Sequence, residues 1–133
     1  WQAADDPWGL GIDNAGNSYI TGSFESDTVR FGTFKISNKG YKDFFLAKYD
    51  ANGGFVWAKD AGAEYSEEGN SLGVDGAGNS YVTGYSESST ITFGTTTFPN
   101  GSTPESKLFL VKYDTDGNVV WAKTDKTQSQ ARE

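Results

Sequence analysis

The sequence contains no cysteine, no histidine and no methionine among its 133 residues. The chain therefore has no disulfide, no thiol nucleophile, no Ser-His-Asp arrangement and no metal site built from imidazole or thiolate ligands. It also has no apolar run close to the roughly 20 residues that a membrane helix needs. Basic residues are outnumbered, and the net charge of −7 argues against nucleic acid and anionic membranes as partners. These absences favour a binding or structural role over an enzymatic one.

The residues that are abundant indicate a β protein. Seventeen glycines, nine phenylalanines, seven tyrosines and four tryptophans stand beside only three prolines. Glycine favours turns and aromatic residues favour strands, and no segment shows a helical period of useful length. The sequence therefore predicts an all-β chain that is rich in turns.

The chain consists of two copies of one unit. Residues 9–22 return as residues 71–84, with ten of fourteen positions identical at an offset of 62. Residues 45–59 return as residues 109–123, with ten of fifteen positions identical at an offset of 64. The difference between the offsets places a two-residue insertion between the two blocks of the second copy. A repeat of this length is the signature of a repetitive architecture.

Each copy predicts a four-stranded antiparallel meander with an extra hairpin between its second and third strands. We assign residues 1–62 to the first unit and residues 63–133 to the second. Copies of such a meander, each packed between its neighbours, predict the blades of a β-propeller. A solenoid is the alternative, but solenoid repeats are usually shorter and lack hairpin turns of this form.

The strand boundaries follow from the hydrophobic pattern. Residues 1–8 read as a lead-in that is broken at Asp6 and Pro7, and the first strand is expected at residues 9–13. The third strands, residues 44–49 and 108–113, are apolar on both sides apart from one lysine each. We therefore expect these two strands to be covered on both faces.

Four turns share an aspartate that is followed by glycine three residues later. The aspartate can cap the turn with its side chain, and glycine adopts the positive φ that the turn needs. Asp114 and Asp116 also place carboxylates at alternate positions, as calcium loops do, but no bidentate carboxylate follows. We therefore assign no metal and no cofactor, and give these turns a structural role. The residues assigned to them are Asp13, Gly16, Asn17, Asp50, Gly53, Asp75, Gly78, Asn79, Asp114 and Gly117.

Trp57 and Trp121 occupy the same position in the two copies. An exposed tryptophan beside polar residues can stack on a sugar or another flat ligand. A tryptophan that recurs at one repeat position also fits packing between blades, and we favour that reading. Eighteen acidic residues offer many carboxylate pairs for glycoside hydrolysis, but no pair stands out. We assign no catalytic residue.

The order of these motifs carries a family resemblance. Gly-Val-Asp-x-x-Gly-Asn-x-Tyr-Val-Thr-Gly, then Phe-Leu-x-Lys-Tyr-Asp, then Gly-x-Val-x-Trp-Ala-Lys resembles the SBBP (seven-bladed β-propeller) repeat of bacterial exported proteins. The resemblance covers both copies and implies an extracellular or cell-surface propeller. This chain has two repeats where the family name implies seven. Residues 47–57 are also similar to the tryptophan-docking motif of pyrroloquinoline-quinone dehydrogenases, which is structural in that family, and no quinone site is apparent.

These observations predict a non-enzymatic scaffold or binding module, with a carbohydrate-binding lectin that has sites at blade junctions as the alternative. Two blades cannot close a propeller, so we expect a cyclic, head-to-tail homo-oligomer. Closure requires six blades from a trimer or eight from a tetramer. The small residues of the two first strands, Gly9 and Gly11 with Ser71 and Gly73, suit a narrow channel, and they favour the trimer. Glycans or another surface protein are the further partners to consider.

Overall fold

A computed structural model describes residues 4–99 and 106–124, and all regular secondary structure in these ranges is β-strand. No helix able to cross a membrane occurs in this part of the chain. The strands are β1 (Asp5–Ile12), β2 (Ser18–Phe24), β3 (Thr28–Phe31), β4 (Phe34–Ser37), β5 (Asp43–Tyr49), β6 (Phe55–Ala61), β7 (Glu67–Val74), β8 (Ser80–Ser86), β9 (Thr90–Phe93), β10 (Thr96–Pro99), β11 (Lys107–Tyr113) and β12 (Val119–Thr124).

The strands form two copies of one antiparallel blade. Blade 1 is a four-stranded sheet in the order β1-β2-β5-β6, and blade 2 has the order β7-β8-β11-β12. The hairpins β3-β4 and β9-β10 lie between the second and third strands of their blades. The prediction of an all-β chain made of four-stranded propeller blades is confirmed. The two-residue insertion falls after β10, outside the described residues.

The aspartate turns have one geometry at all four positions. In each turn the glycine N–H donates to the aspartate carbonyl oxygen, and the aspartate N–H donates to the carbonyl oxygen four residues later. The four glycines have φ between 83° and 93°, a range that L side chains rarely adopt. These glycines are Gly16, Gly53, Gly78 and Gly117.

The expected start of the first strand was wrong. β1 begins at Asp5 rather than at residue 9, and Pro7 lies within it, paired with Gly22. Pro7 fits because β1 is at the edge of the sheet, where a residue needs no N–H to bond a further strand. The register of the β1-β2 pair also shifts between Pro7 and Gly9, so the proline sits at an irregularity.

The two blades share one hydrophobic core. We call the side of each sheet that bears the central tryptophan, Trp57 or Trp121, its front face, and the opposite side its back face. The front face of blade 1 packs on the back face of blade 2, and both contribute buried side chains to this core. A second core lies on the back face of blade 1, where the hairpin β3-β4 covers the sheet. The members of the shared core are Tyr19, Phe44, Leu46, Ala61, Val82, Ile91, Phe93, Phe109, Val111 and Tyr113.

The third strands differ in their burial. Every residue of β5 except Tyr49 is buried, as expected for a strand that is covered on both faces. In β11, by contrast, Leu108 is 54% exposed and Leu110 is 37% exposed. The expectation of two covered faces is therefore wrong for β11 in the single chain. The reason is that blade 1 covers only the back face of blade 2.

Glycines allow the first strands of the two blades to approach closely. A Cβ atom on Gly9 would lie 3.1 Å from the Cβ of Leu72, and one on Gly11 would lie 2.5 Å from a methyl group of Val74. Side chains of blade 2 therefore occupy the space beside both glycines. Gly9 and Gly11 therefore serve the contact between the blades, and the width of a central channel stays a prediction.

A second glycine pair, Gly22 and Gly84, lies where the first two strands of each blade approach closely, and it supports a stability prediction. A Cβ on Gly22 would lie 1.9 Å from the Asp6 carbonyl oxygen, and one on Gly84 would lie 1.8 Å from that of Glu68. We expect Gly84→Ala to lower the free energy of unfolding by about 1–3 kcal/mol, because the backbone must move to admit the methyl group. Urea denaturation measures this loss. Ser37→Ala, at an exposed position, is the control, and equal stability of both variants would contradict the prediction.

Candidate functional site

The covered junction between the blades contains three hydrogen bonds from side chains of blade 1 to backbone carbonyls of blade 2. The Tyr19 hydroxyl lies 3.1 Å from the Gly78 carbonyl and 2.9 Å from the Asp13 carboxylate, and its one proton is shared between these two acceptors. The Trp57 indole Nε1 donates to the Thr115 carbonyl over 3.1 Å, and Lys48 Nζ donates to the same oxygen over 3.2 Å. Both carbonyls belong to aspartate turns. The front face of blade 1 therefore binds the turns of the next blade directly.

The three donor side chains also contact one another through aromatic rings. The rings of Tyr19 and Trp57 meet edge to face with their centroids 6.2 Å apart, and Lys48 Nζ lies 5.4 Å from the Tyr19 centroid. The Trp57 ring also covers Gly117, where an added Cβ would approach it to 3.0 Å. This glycine therefore serves the close approach of the ring as well as the turn.

The front face of blade 2 has the same arrangement, but no blade covers it. The Tyr81 and Trp121 centroids are 6.3 Å apart, and Lys112 Nζ lies 5.3 Å from the Tyr81 centroid. The exposed leucines of β11, Leu108 and Leu110, lie on this face. It therefore combines exposed apolar surface with a set of ordered donors.

The back face of blade 1 is the second uncovered surface. Leu10 and Ile12 of β1 are 67% and 62% exposed. Their repeat equivalents in blade 2, Leu72 and Val74, pack against the shared core. The difference follows from position, because blade 1 lies against β7 of blade 2, whereas no blade in the described part of the chain lies against β1, and the hairpin β3-β4 covers the back face of blade 1 only beside β5.

The turn carboxylates are occupied by hydrogen bonds within the chain. Asp13 accepts from the backbone N–H groups of Ala15 and Asn17, from the Asn17 side-chain amide and from the Tyr19 hydroxyl. Burial alone would raise the pKa of Asp13, but these donors outweigh it and hold the pKa below its usual value. Asp114 accepts from the N–H groups of Asn118 and Asp116, which hold its pKa below its usual value.

Neither these turns nor any other described part of the chain gathers three or more acidic side chains around a metal position. The residues assigned to the turns lie in the four aspartate turns of the structure. Trp57 lies in the covered junction and Trp121 on the uncovered front face of blade 2, both half-buried. Stacking of either tryptophan on a ligand stays a prediction.

Sequence reasoning missed two buried acids close to the segment that links the blades. Glu67 is fully buried and accepts hydrogen bonds from the hydroxyls of Ser86 and Ser88 and from the N–H of Ala63. Asp43 is also fully buried, and its Oδ2 accepts from the Lys39 N–H over 2.7 Å. The only signal in the sequence was an acid at the start of each strand.

A crevice of about 390 Å³ lies at the outer rim of the junction, between β6 of blade 1 and the hairpin β9-β10 of blade 2. Its polar lining includes Lys59 and Asp60 from blade 1 and Thr92 and Asn118 from blade 2. Lys39, which forms an ion pair with Asp60, closes one side. The crevice is thus a second candidate binding place, and it exists only because two blades meet.

Asp43 gives the protein a pH dependence that can be measured. Burial raises its pKa to about 6, against the effects of the Lys39 N–H and charge. Because the folded state holds this proton to higher pH than the unfolded state, the associated stability is present below about pH 4 and is lost as the pH rises through about 6. We expect the free energy of unfolding of Asp43→Asn, which keeps an acceptor oxygen, to differ less between pH 4.5 and pH 7 than that of the wild type.

Denaturant titrations at the two pH values measure this difference. Asp27→Asn, at an exposed position, is the matched control and should behave as the wild type does. An unchanged pH difference in Asp43→Asn would contradict the assignment.

Comparison with known proteins agrees with the geometry. An uncharacterized WD repeat-containing protein of Acanthamoeba polyphaga mimivirus is 29% identical to this chain over 126 residues. The match covers 85% of this chain and 9% of the viral protein, so the chain spans less than a tenth of that relative's length.

The SBBP family, described as a beta-propeller repeat, matches residues 57–90. This segment runs from β6 through β7 and β8 to the first residue of β9, and so contains parts of both blades. Both comparisons fit a propeller scaffold or binding module. The chain carries a repeat of the SBBP β-propeller family.

Proposed function

We propose that this chain is a non-enzymatic β-propeller scaffold or binding module of an exported bacterial protein, and that its blades assemble into a closed ring. The observation that carries the proposal is the unequal burial of the two blades. One pair of faces forms a buried core, while the corresponding two outer faces expose Leu108 and Leu10 to solvent. Exposed apolar faces of this kind mark association sites. The location outside the cell is supported by the resemblance of the repeat to those of exported proteins.

Ring closure requires each chain to contribute its two blades in the same direction. A cyclic trimer then has six blades and a cyclic tetramer has eight. We expect the six-bladed ring of a trimer. In such a ring the loops of many blades gather at the two rims, which gives a rigid surface for the recognition of glycans or of another surface protein.

Light scattering after size-exclusion chromatography tests the assembly. We expect a mass of three times the 14.4 kDa chain for the trimer, and four times that mass would give the eight-bladed ring. The apolar faces are the reason, since each is covered only when the ring closes. A well-behaved single chain at high protein concentration would contradict self-assembly.

A carbohydrate-binding lectin is the second candidate function, and the crevice at the blade junction favours it. Sugars are recognised by polar side chains together with aromatic or apolar surface, and the crevice offers Lys59, Thr92 and Asn118 beside Tyr113. The size of about 390 Å³ suits a small ligand. Sites of this kind would recur at every junction of a ring.

A glycan array tests the lectin function. The expected result is binding by the wild type that Lys59→Ala removes, because Lys59 lines the crevice. Lys35→Ala, on the exposed part of β4, is the matched control and should keep the binding. Absence of binding by the wild type, or binding that Lys59→Ala leaves unchanged, would contradict this second candidate.

A further inference from the structure

We propose that the front face of blade 2 docks onto the back face of blade 1 in a second copy of this chain, with the residue pairing of the internal junction. The inference rests on the proposed function and adds to it the surfaces, the direction and the contacts of assembly. Its support is that the covered junction serves as a template, because each of its two sides has a repeat equivalent that is uncovered.

The donors of the template have equivalents that are ordered in the same way. At the repeat offsets of 62 and 64 residues, the equivalents of Tyr19, Lys48 and Trp57 are Tyr81, Lys112 and Trp121. The distances between the aromatic rings agree, at 6.2 and 6.3 Å, and so do the distances from lysine to tyrosine, at 5.4 and 5.3 Å. Blade 2 therefore keeps the donor geometry of the front face although no blade lies against it. This arrangement is pre-organised for the same kind of acceptor.

The acceptors of the template have equivalents on the exposed turns of blade 1. The carbonyls of Gly78 and Thr115 correspond to those of Gly16 and Ala51. Gly16 and Ala51 are both exposed, and they lie in turns with the same hydrogen bonds and the same positive φ at glycine. In the docked pair, Tyr81 therefore donates to Gly16 of the second copy, while Trp121 and Lys112 donate to Ala51.

The space beside glycines distinguishes covered surfaces from uncovered ones. At the covered junction, a Cβ on Gly117 would meet the Trp57 ring, and a Cβ on Gly11 would meet Val74. Their equivalents are Gly53 and Gly73, and a Cβ on either of these would have nothing within 4 Å. The empty space beside Gly53 and Gly73 is where Trp121 and Ile12 of the neighbouring copies fit.

One pair of substitutions between the repeats also keeps the contact complementary. In the template, a Cβ on Gly69 would lie 2.6 Å from the Phe44 ring, so the large ring of blade 1 faces a residue without a side chain. The equivalents are Leu108 and Pro7. Leu108 is smaller than Phe44, and the space that it leaves is filled by the proline ring. The docked pair therefore keeps the close packing of the template.

The resulting contact is head-to-tail, because a front face meets a back face and not a second front face. Such a contact continues from copy to copy until the rotation closes a ring. It therefore predicts complementation between two differently blocked chains, which a symmetric two-fold contact does not allow.

The test uses one charge on each uncovered face. Leu108→Asp blocks the front face of blade 2 and Leu10→Asp blocks the back face of blade 1, and both positions are more than half exposed in the single chain, so folding should survive. Val56→Asp is the matched control, because its repeat equivalent Val120 stays 51% exposed even in the covered junction. Circular dichroism and thermal melts verify that each variant is folded before its mass is measured.

We expect the wild type and Val56→Asp to have the mass of the ring, and Leu108→Asp and Leu10→Asp to have the mass of one chain. Mixed in equal amounts, the two blocked variants should form a species of two chains, because one unblocked pair of faces remains. A wild-type ring that persists in Leu108→Asp or Leu10→Asp would overturn this docking and leave ring assembly intact. A wild type of one chain, with no two-chain species in the mixture, would overturn self-assembly itself.

Discussion

The structure depends on one constraint, which is that a sheet with apolar side chains on both faces must be covered on both. β5 meets this constraint, with blade 2 on its front face and the hairpin β3-β4 on its back face. β11 does not, because its front-face leucines remain in contact with water. Covering apolar surface contributes about 25 cal/mol per Å². The same term that holds the two blades together therefore favours the addition of further blades.

The aspartate turns contribute to this junction as well as to their own hairpins. Each carboxylate accepts the N–H groups of its turn, which leaves the turn carbonyls at fixed positions facing outwards. Gly78 and Thr115 offer these carbonyls to Tyr19, Lys48 and Trp57. Backbone acceptors held in rigid turns give the junction a direction that apolar burial alone does not supply, since the hydrophobic effect is not directional.

Much of this architecture could be predicted from the sequence, because local rules determine it. Turn chemistry predicted the aspartate turns at Asp13, Gly16 and their equivalents, and the repeated meander pattern predicted four-stranded antiparallel blades. Other features depend on neighbours that a single sequence does not reveal. Pro7 could enter β1 only because that strand is at a sheet edge, and Asp43 is buried because the linker between the blades covers it. The exposure of Leu108 likewise depends on which faces find a partner.

Hydrogen exchange at the indole Nε1 groups of Trp57 and Trp121 tests most directly whether the covered junction is the template for assembly. Trp57 already donates to Thr115 within the chain, so its exchange should be slow at every protein concentration. Trp121 should exchange fast in dilute solution and become as slow as Trp57 when the chains assemble. Fast exchange at Trp121 in the fully assembled protein would contradict the account, because its front face would then be uncovered.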